Sequence, residues 1–413
     1  MKEYILAIDL GTYCDHVLMD NAILELAKKY KIVYLTDKSH NLSKDYIKES
    51  FITPSFLIND PKIEIADTSK NFSLYIIKHF HKIIVSYRWS RFIKKKLKEL
   101  LIKYNFKSIC ILYPALGLLW LFEKINIPIY IFYYAPGILC KNIPWLFDSI
   151  LKKHKYKLYN KSSYKYNVNS TLKYLNRIAM VSKKKETIHQ MLKSVNHVIC
   201  WDKNTLPELQ YFYKDINILY AGSLINLESL NKKKWIIEDK ILNFIKKFNN
   251  IIFMSFGSYG NSYLLKNIVK LLLKYINNYC VKNNFGLIYH NGGNIPNTDN
   301  LLIINGFIQY EYIVPKSKLV IFTGSVCLQN ICIYNCVPML FLPLLNEQFY
   351  WAKNYKYYTD RSYIDYRSTN LKLNLDNFII KNDKIVNYLE KISNNMKKNK
   401  PANRKILEFI DSQ

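Results

Sequence analysis

The sequence predicts an α/β protein made of two doubly wound domains in tandem, and three observations carry that prediction. Short apolar runs of strand length alternate with longer stretches of helical spacing, the mark of βαβ units and a parallel sheet. The alternation stops in a polar, basic stretch over residues 226–240 and then restarts. Glycine is scarce, eleven in 413 residues, against an average of about 7%. Of these, Gly257, Gly260, Gly306 and Gly324 all fall where a strand gives way to a helix. A composition that suppresses glycine keeps it where the backbone needs positive φ or a ligand comes close. In open α/β sheets that edge is where ligands bind.

In the first half, residues 3–8, 32–36, 108–112, 127–132, 198–200 and 217–221 read as strands. Residues 21–29 and 93–103 have helical spacing. In the second half the strands are 251–254, 287–290, 301–304, 319–322 and 338–342, with helices over 264–275 and 326–334. The tail from 384 to 409 is helical, with a break near Pro401. The expected organisation is an N-terminal domain over 1–225, a linker over 226–245 and a C-terminal domain over 246–395. A helix over 396–413 is expected to pack back towards the first domain.

Half of the residues are hydrophobic, so the chain is globular and not disordered. Lys and Arg number 60 against 31 Asp and Glu, a formal net charge of +29. Such a charge invites a nucleic-acid reading, but the lysines are scattered among many Asn, Ile and Tyr, the style of an AT-rich genome such as a virus or parasite carries. Runs such as Lys94–Lys96 and Lys183–Lys185 sit beside apolar helical positions and read as solvated faces. No nucleic-acid partner is expected, and the charge allows peripheral contact with an anionic membrane. The eight cysteines form no C-x-x-C pair, so free thiols in a reducing compartment are expected rather than disulfides or a metal site. The first apolar run, residues 4–8, is too short for a signal-peptide core. With no spanning segment in view, a cytoplasmic location is expected.

Two segments carry chemistry. Residues 251–260 read I-I-F-M-S-F-G-S-Y-G, a buried strand opening into a turn with two hydroxyls, Ser255 and Ser258. Backbone N–H groups at a following helix start would suit a phosphate, though a serine-rich turn after a core strand has the same look. Residues 319–348 give a strand, a Thr323-Gly324-Ser325 turn, a helix, then V-P-M entering a strand that ends P-L-L-N-E-Q. The run His290-Asn291-Gly292-Gly293 reads as a loop.

The order and spacing of 319–348 resemble the nucleotide-sugar signature of the UDP-glycosyltransferases, the family that includes sterol and macrolide glycosyltransferases. The family pattern there is roughly F-x-x-H-G-G, a helix with a Glu, G-V-P-M and P-x-x-x-D-Q. Upstream, S-F-G-S resembles the opening of the family's C-terminal domain, and Asn305-Gly306-Phe307-Ile308-Gln309 its W-x-P-Q segment. Asp15-His16-Val17 with Glu25-Leu26-Ala27 resembles its N-terminal G-H-V and A-L-A. The likeness covers nearly the whole chain and is densest over 251–354.

The resemblance implies a GT-B fold, two Rossmann-like domains facing across a cleft, and inverting transfer of a hexose from a UDP-sugar to a hydroxyl of a small, lipophilic acceptor. It places Ser255, Gly257, Ser258, Thr323, Gly324 and Ser325 around the diphosphate, Phe307 and Gln309 at base and ribose, and Glu347 and Gln348 on the sugar hydroxyls. His16 would be the general base, a role that contributes roughly 10²–10⁴-fold. The UDP-sugar is a co-substrate, and no metal or other cofactor is implied. Four positions depart from the family: Thr323 replaces the diphosphate His, Ile331 the ribose Glu, Tyr113 the Asp that orients the base, and Met19 a Pro after it. These losses keep a second reading open, a catalytically degenerate GT-B protein that binds a nucleotide-sugar or glycan without transfer.

Overall fold

A computed structural model describes residues 3–9, 13–37, 46–51, 80–112, 125–134, 193–201, 216–224, 237–257, 266–306, 308–343, 348, 352, 363–364 and 374–413. The chain divides into two compact units, Met1–Lys203 with Glu208–Leu224 and Lys400–Gln413, and Asn204–Pro207 with Ile225–Asn399.

The first unit holds β1 (Tyr4–Ile8), β2 (Lys31–Asp37), β3 (Ile47–Phe51), β4 (Phe106–Leu112), β5 (Ile129–Tyr133), β6 (Asn196–Ile199) and β7 (Ile218–Tyr220). All pair in parallel, in the order β3-β2-β1-β4-β5-β6-β7. The central strands are nearly continuous apolar runs because a parallel sheet is covered on both faces. Ile5 to Ile8 and Ile109 to Leu112 are buried throughout.

Its helices are α1 (Tyr13–Ile23), α2 (Leu26–Lys29) and α3 (Phe80–Lys103). The helix read over 21–29 therefore starts at Tyr13 and breaks at Leu24 and Glu25. Leu18, Met19, Ala22 and Ile23 give the helix its buried face. The strand β3 was not legible because Lys48 and Glu49 interrupt its apolar pattern. Glu49 instead takes an ion pair from Lys96 on α3 at 2.6 Å.

The second unit holds α4 (Asp239–Lys247), β8 (Ile251–Ser255), α5 (Lys266–Asn283), β9 (Gly286–His290), β10 (Leu301–Ile304), α6 (Tyr310–Ile313), β11 (Ser317–Phe322), α7 (Val326–Tyr334), β12 (Met339–Phe341), α8 (Asp376–Ile379) and α9 (Asp383–Lys398). Its five parallel strands run in the order β10-β9-β8-β11-β12. The linker read over 226–245 thus ends in helix. Its lysines conceal the helically spaced Ile241, Phe244 and Phe248. That face lies on the start of β9, where a side-chain Cβ at Gly286 would stand 2.8 Å from both Phe244 and Phe248. The helix α5 runs past the expected 264–275, carried by buried Ile268, Leu272, Ile276 and Cys280 at every fourth position.

After α9 the chain breaks at Asn399, and α10 (Ala402–Asp411) returns to the first unit against α1 and α2. Ala402, Ile406 and Ile410 form its buried stripe. At its end Asp411 accepts a hydrogen bond from Tyr30 and an ion pair from Lys29 at 2.7 Å.

Candidate functional site

Both sheets reverse their strand order once, the first between β1 and β4 and the second between β8 and β11. Neighbouring crossovers leave in opposite directions at such a point and open a crevice at the carboxyl ends of the strands. In the second unit the register puts Ile304, His290, Ser255, Phe322 and Phe341 in one row across that edge. The expected site residues are placed relative to this row.

Ser255 ends β8 and is buried, and Gly257 follows with φ +56°. Thr323 follows β11 and is buried, and Gly324 has φ +108°. Ser325 is the residue before α7, and its carbonyl accepts the first helical bond from Gln329 at 2.9 Å. Residues 323–325 therefore turn the chain out of the strand so that the amino end of α7 faces the switch point. That end carries the positive pole of the helix and its unbonded N–H groups. Gln348 is buried and lies against this turn. A Cβ at Gly324 would stand 3.2 Å from the Gln348 Cβ and 3.5 Å from its Cα. The turn must be glycine both for its φ and for that approach. The helix α9 holds the far end of α7, with Ser393 Oγ donating to the Tyr334 carbonyl at 2.7 Å.

Gln309 caps α6, and its carbonyl accepts from the Tyr312 and Ile313 N–H groups. The structure thus brings Ser255, Gly257, Thr323, Gly324, Ser325 and Gln348 to the ends of the two strands that flank the switch point and to the segments that follow them. Gln309 follows β10, two strands away. Ser258, Phe307 and Glu347 lie outside the described residues, as does Tyr113. His16 belongs to the first unit, on the fourth residue of α1, and its side chain is likewise outside them. Ile331, in place of a ribose carboxylate, is a buried residue of α7.

Sequence reasoning missed one residue of this edge. His290 ends the strand read over 287–290 and carries no role in the sequence reading, yet it closes β9 buried and directly across from Ser255. Its Nδ1 is 3.0 Å from Ser255 Oγ and 3.1 Å from the Tyr310 hydroxyl, and those two hydroxyls are 3.1 Å apart. Its Nε2 donates to the Gly306 carbonyl at 2.7 Å. Burial pushes the imidazole below its ordinary 6.5, partly offset by the Gly306 carbonyl. The residues after β9 and β10 are latched in the same way. Asn305 receives the Gly293 N–H at 3.1 Å and donates to the Gly293 carbonyl at 2.9 Å, while Asn291 receives the Gly306 N–H at 3.3 Å. The one signal in the sequence was the type of residue, a histidine at the end of an apolar run.

Among the described residues no group of three His, Cys, Asp or Glu side chains could hold a metal ion. Among them, too, no helix is long and apolar enough to cross a membrane.

No family model matches the chain, and no curated protein sequence does. Solved structures do resemble it over its full length. The kitacinnamycin glycotransferase is 10% identical, with a TM-score of 0.67 over 99% of this chain and 98% of that one. Phytolacca americana UGT2, complexed with UDP-2fluoro-glucose and pterostilbene, is 12% identical with a TM-score of 0.62 over 100% of both chains. Medicago truncatula UGT71G1, complexed with UDP-glucose, is 13% identical with a TM-score of 0.59 over 100% of this chain and 98% of that one. The chain has the GT-B fold of these glycosyltransferases. At such identities the likeness carries the fold, and the chemistry rests on this chain's own residues.

Proposed function

We propose that the chain is a glycosyltransferase that binds a UDP-sugar at the switch point of its five-stranded sheet and transfers the hexose, with inversion, to a hydroxyl of a small, lipophilic acceptor. The observation that carries the reading is the packing of Gln348 on Gly324 at the amino end of α7. It brings an amide side chain beside the amino end of a helix, which supports a reading in which the amide meets the sugar and the turn the diphosphate. The leaving diphosphate is met by α7 N–H groups, by the Ser255, Ser258, Thr323 and Ser325 hydroxyls, and by the helix dipole, with no metal required. Gln309 and Phe307 hold the base and ribose, and Glu347 joins Gln348 on the sugar hydroxyls. His16, on α1 of the first unit, takes the acceptor proton as general base. The acceptor is bound by the first unit, in the cytoplasm.

Calorimetric titration with UDP, UDP-glucose, UDP-N-acetylglucosamine and a dTDP-sugar tests the donor site. Saturable binding of one nucleotide-sugar, weakened in Glu347→Ala, is expected. Absence of binding by any of them at millimolar ligand would remove the proposal. Donor hydrolysis measured with and without His16→Ala tests the transfer step, since a protein that only binds would show no turnover that depends on His16.

A further inference from the structure

None of the residues assigned above to the donor is a cation. Thr323 stands where the resembling family carries a histidine, and α7 contains no Lys, Arg or His. We propose that His290 supplies the missing charge on demand, so that binding of the donor diphosphate is coupled to uptake of one proton at His290 Nδ1 and is relayed through Ser255. The inference rests on the donor-site reading and names a positioning residue within it.

The geometry around the ring sets its proton states. A carbonyl can only accept, so the 2.7 Å contact with Gly306 fixes the hydrogen on Nε2. The lone pair is then on Nδ1, in reach of two hydroxyls that are also in reach of each other. In this neutral state one hydroxyl hydrogen is spent on the ring. A proton taken from solvent onto Nδ1 reverses that bond: the ring becomes the donor, a hydroxyl oxygen accepts, and its own hydrogen turns away from the ring. For Ser255, at the end of β8, that hydrogen becomes a donor to an anion at the switch point. The ring lies on β9, two strand spacings or about 10 Å from β11, close enough for its charge to be felt by a diphosphate across β8.

Among the described residues, the groups that face the ring are the Ser255 hydroxyl from β8, the Tyr310 phenol from α6 and the Gly306 carbonyl after β10. The ring's shift has two causes, burial and the Gly306 carbonyl, with no charged side chain among them. Burial thus disfavours the charged ring, and an arriving anion is the charge that offsets the cost of ionising it. Linkage makes the effect reciprocal: protonation strengthens anion binding by the factor by which the anion strengthens protonation.

The test is calorimetric titration with UDP-glucose, whose diphosphate is esterified at both ends and does not itself titrate near neutrality. It is run across about pH 6 to 8 in buffers of different ionisation heat. Net proton uptake is expected, with affinity tightening several-fold for each unit that pH falls, below the roughly tenfold that one proton permits. His290→Gln keeps a donor for Gly306 and cannot charge, so it should bind with no proton uptake and a flat pH profile. Should that variant not fold, as judged by circular dichroism, Ser255→Ala leaves the ring and its Gly306 bond and should lose most of the uptake. Binding without proton uptake in the wild type, or uptake that survives in His290→Gln, overturns the inference and leaves the donor site standing. Failure of UDP-glucose to bind at any pH overturns both.

Discussion

The two sheets turn at corresponding places, and the described residues that end their first strands there differ in charge. In the first, β1 runs out into Asp9, fully buried, whose carboxylate accepts from the Tyr34 hydroxyl at 3.2 Å and Thr36 Oγ1 at 3.3 Å. In the second, β8 and β11 run out into hydroxyls, positive-φ glycines and a helix start, at Ser255, Gly257, Thr323, Gly324 and Ser325. A buried carboxylate repels a diphosphate, whereas donors and a helix amino end attract one. Topology decides where a crevice forms in each unit, and the side chains at the strand ends decide what charge it accepts. This contrast is what favours the second unit in the proposal for the anionic donor.

The largest test of that contrast removes the scaffold of one side. Phe322 is fully buried, paired with Ser255 in register and 4.9 Å ring to ring from Phe341. Phe322→Ala should cost about 3–5 kcal/mol in urea denaturation and abolish UDP-glucose binding. An unchanged midpoint would show that this row does not hold the edge.

Next comes Gly324→Ala, which meets the Gln348 Cβ at 3.2 Å with φ at +108°. The backbone strain alone is about 1–2 kcal/mol, and UDP-glucose affinity should fall at least tenfold or so, by about 1.4 kcal/mol. Full affinity in this variant would detach the turn from donor binding.

On the other side, Asp9→Asn keeps an acceptor for Tyr34 and Thr36 but loses the charge. It should cost about 1 kcal/mol while leaving UDP-glucose affinity unchanged. A large change in affinity would erase the distinction between the two crevices.

The smallest effect concerns the anchor of α10. Burial works against ionisation of the Asp411 carboxyl, but hydrogen bonds from Lys29 and Tyr30 hold it below its ordinary 3.8. A depressed carboxyl contributes stability at neutral pH that is lost as pH falls through its folded value. Asp411→Asn should flatten the acid side of a melting-temperature profile slightly. An identical profile in the variant would show that the pair adds nothing measurable.

Much of the fold was legible because apolar periodicity reports burial directly. The helix read over 326–334 is α7 to the residue, and the strands of both halves fall within a few residues of their expected bounds. Elements went unread where charge masks the pattern, as at β3 and α4. The glycines at the strand ends were legible for a different reason: in a chain this poor in glycine, Gly257, Gly306 and Gly324 survive at positions of positive φ. His290 was not legible, since its role depends on which strand lies beside β9.

What the sequence alone determined is therefore local: which runs bury, where helices of strong periodicity lie, and where the backbone must turn with glycine. Those properties depend on neighbours a few positions away. Only the tertiary structure decided that the order of strands reverses beside β8 and that Ser255, His290 and Tyr310 share one hydrogen-bonded triangle. Ser255 and Tyr310 are 55 positions apart, and no periodicity links them. The register between β8 and β9 sets Ser255 opposite His290, a pairing between two strands that neither segment specifies alone.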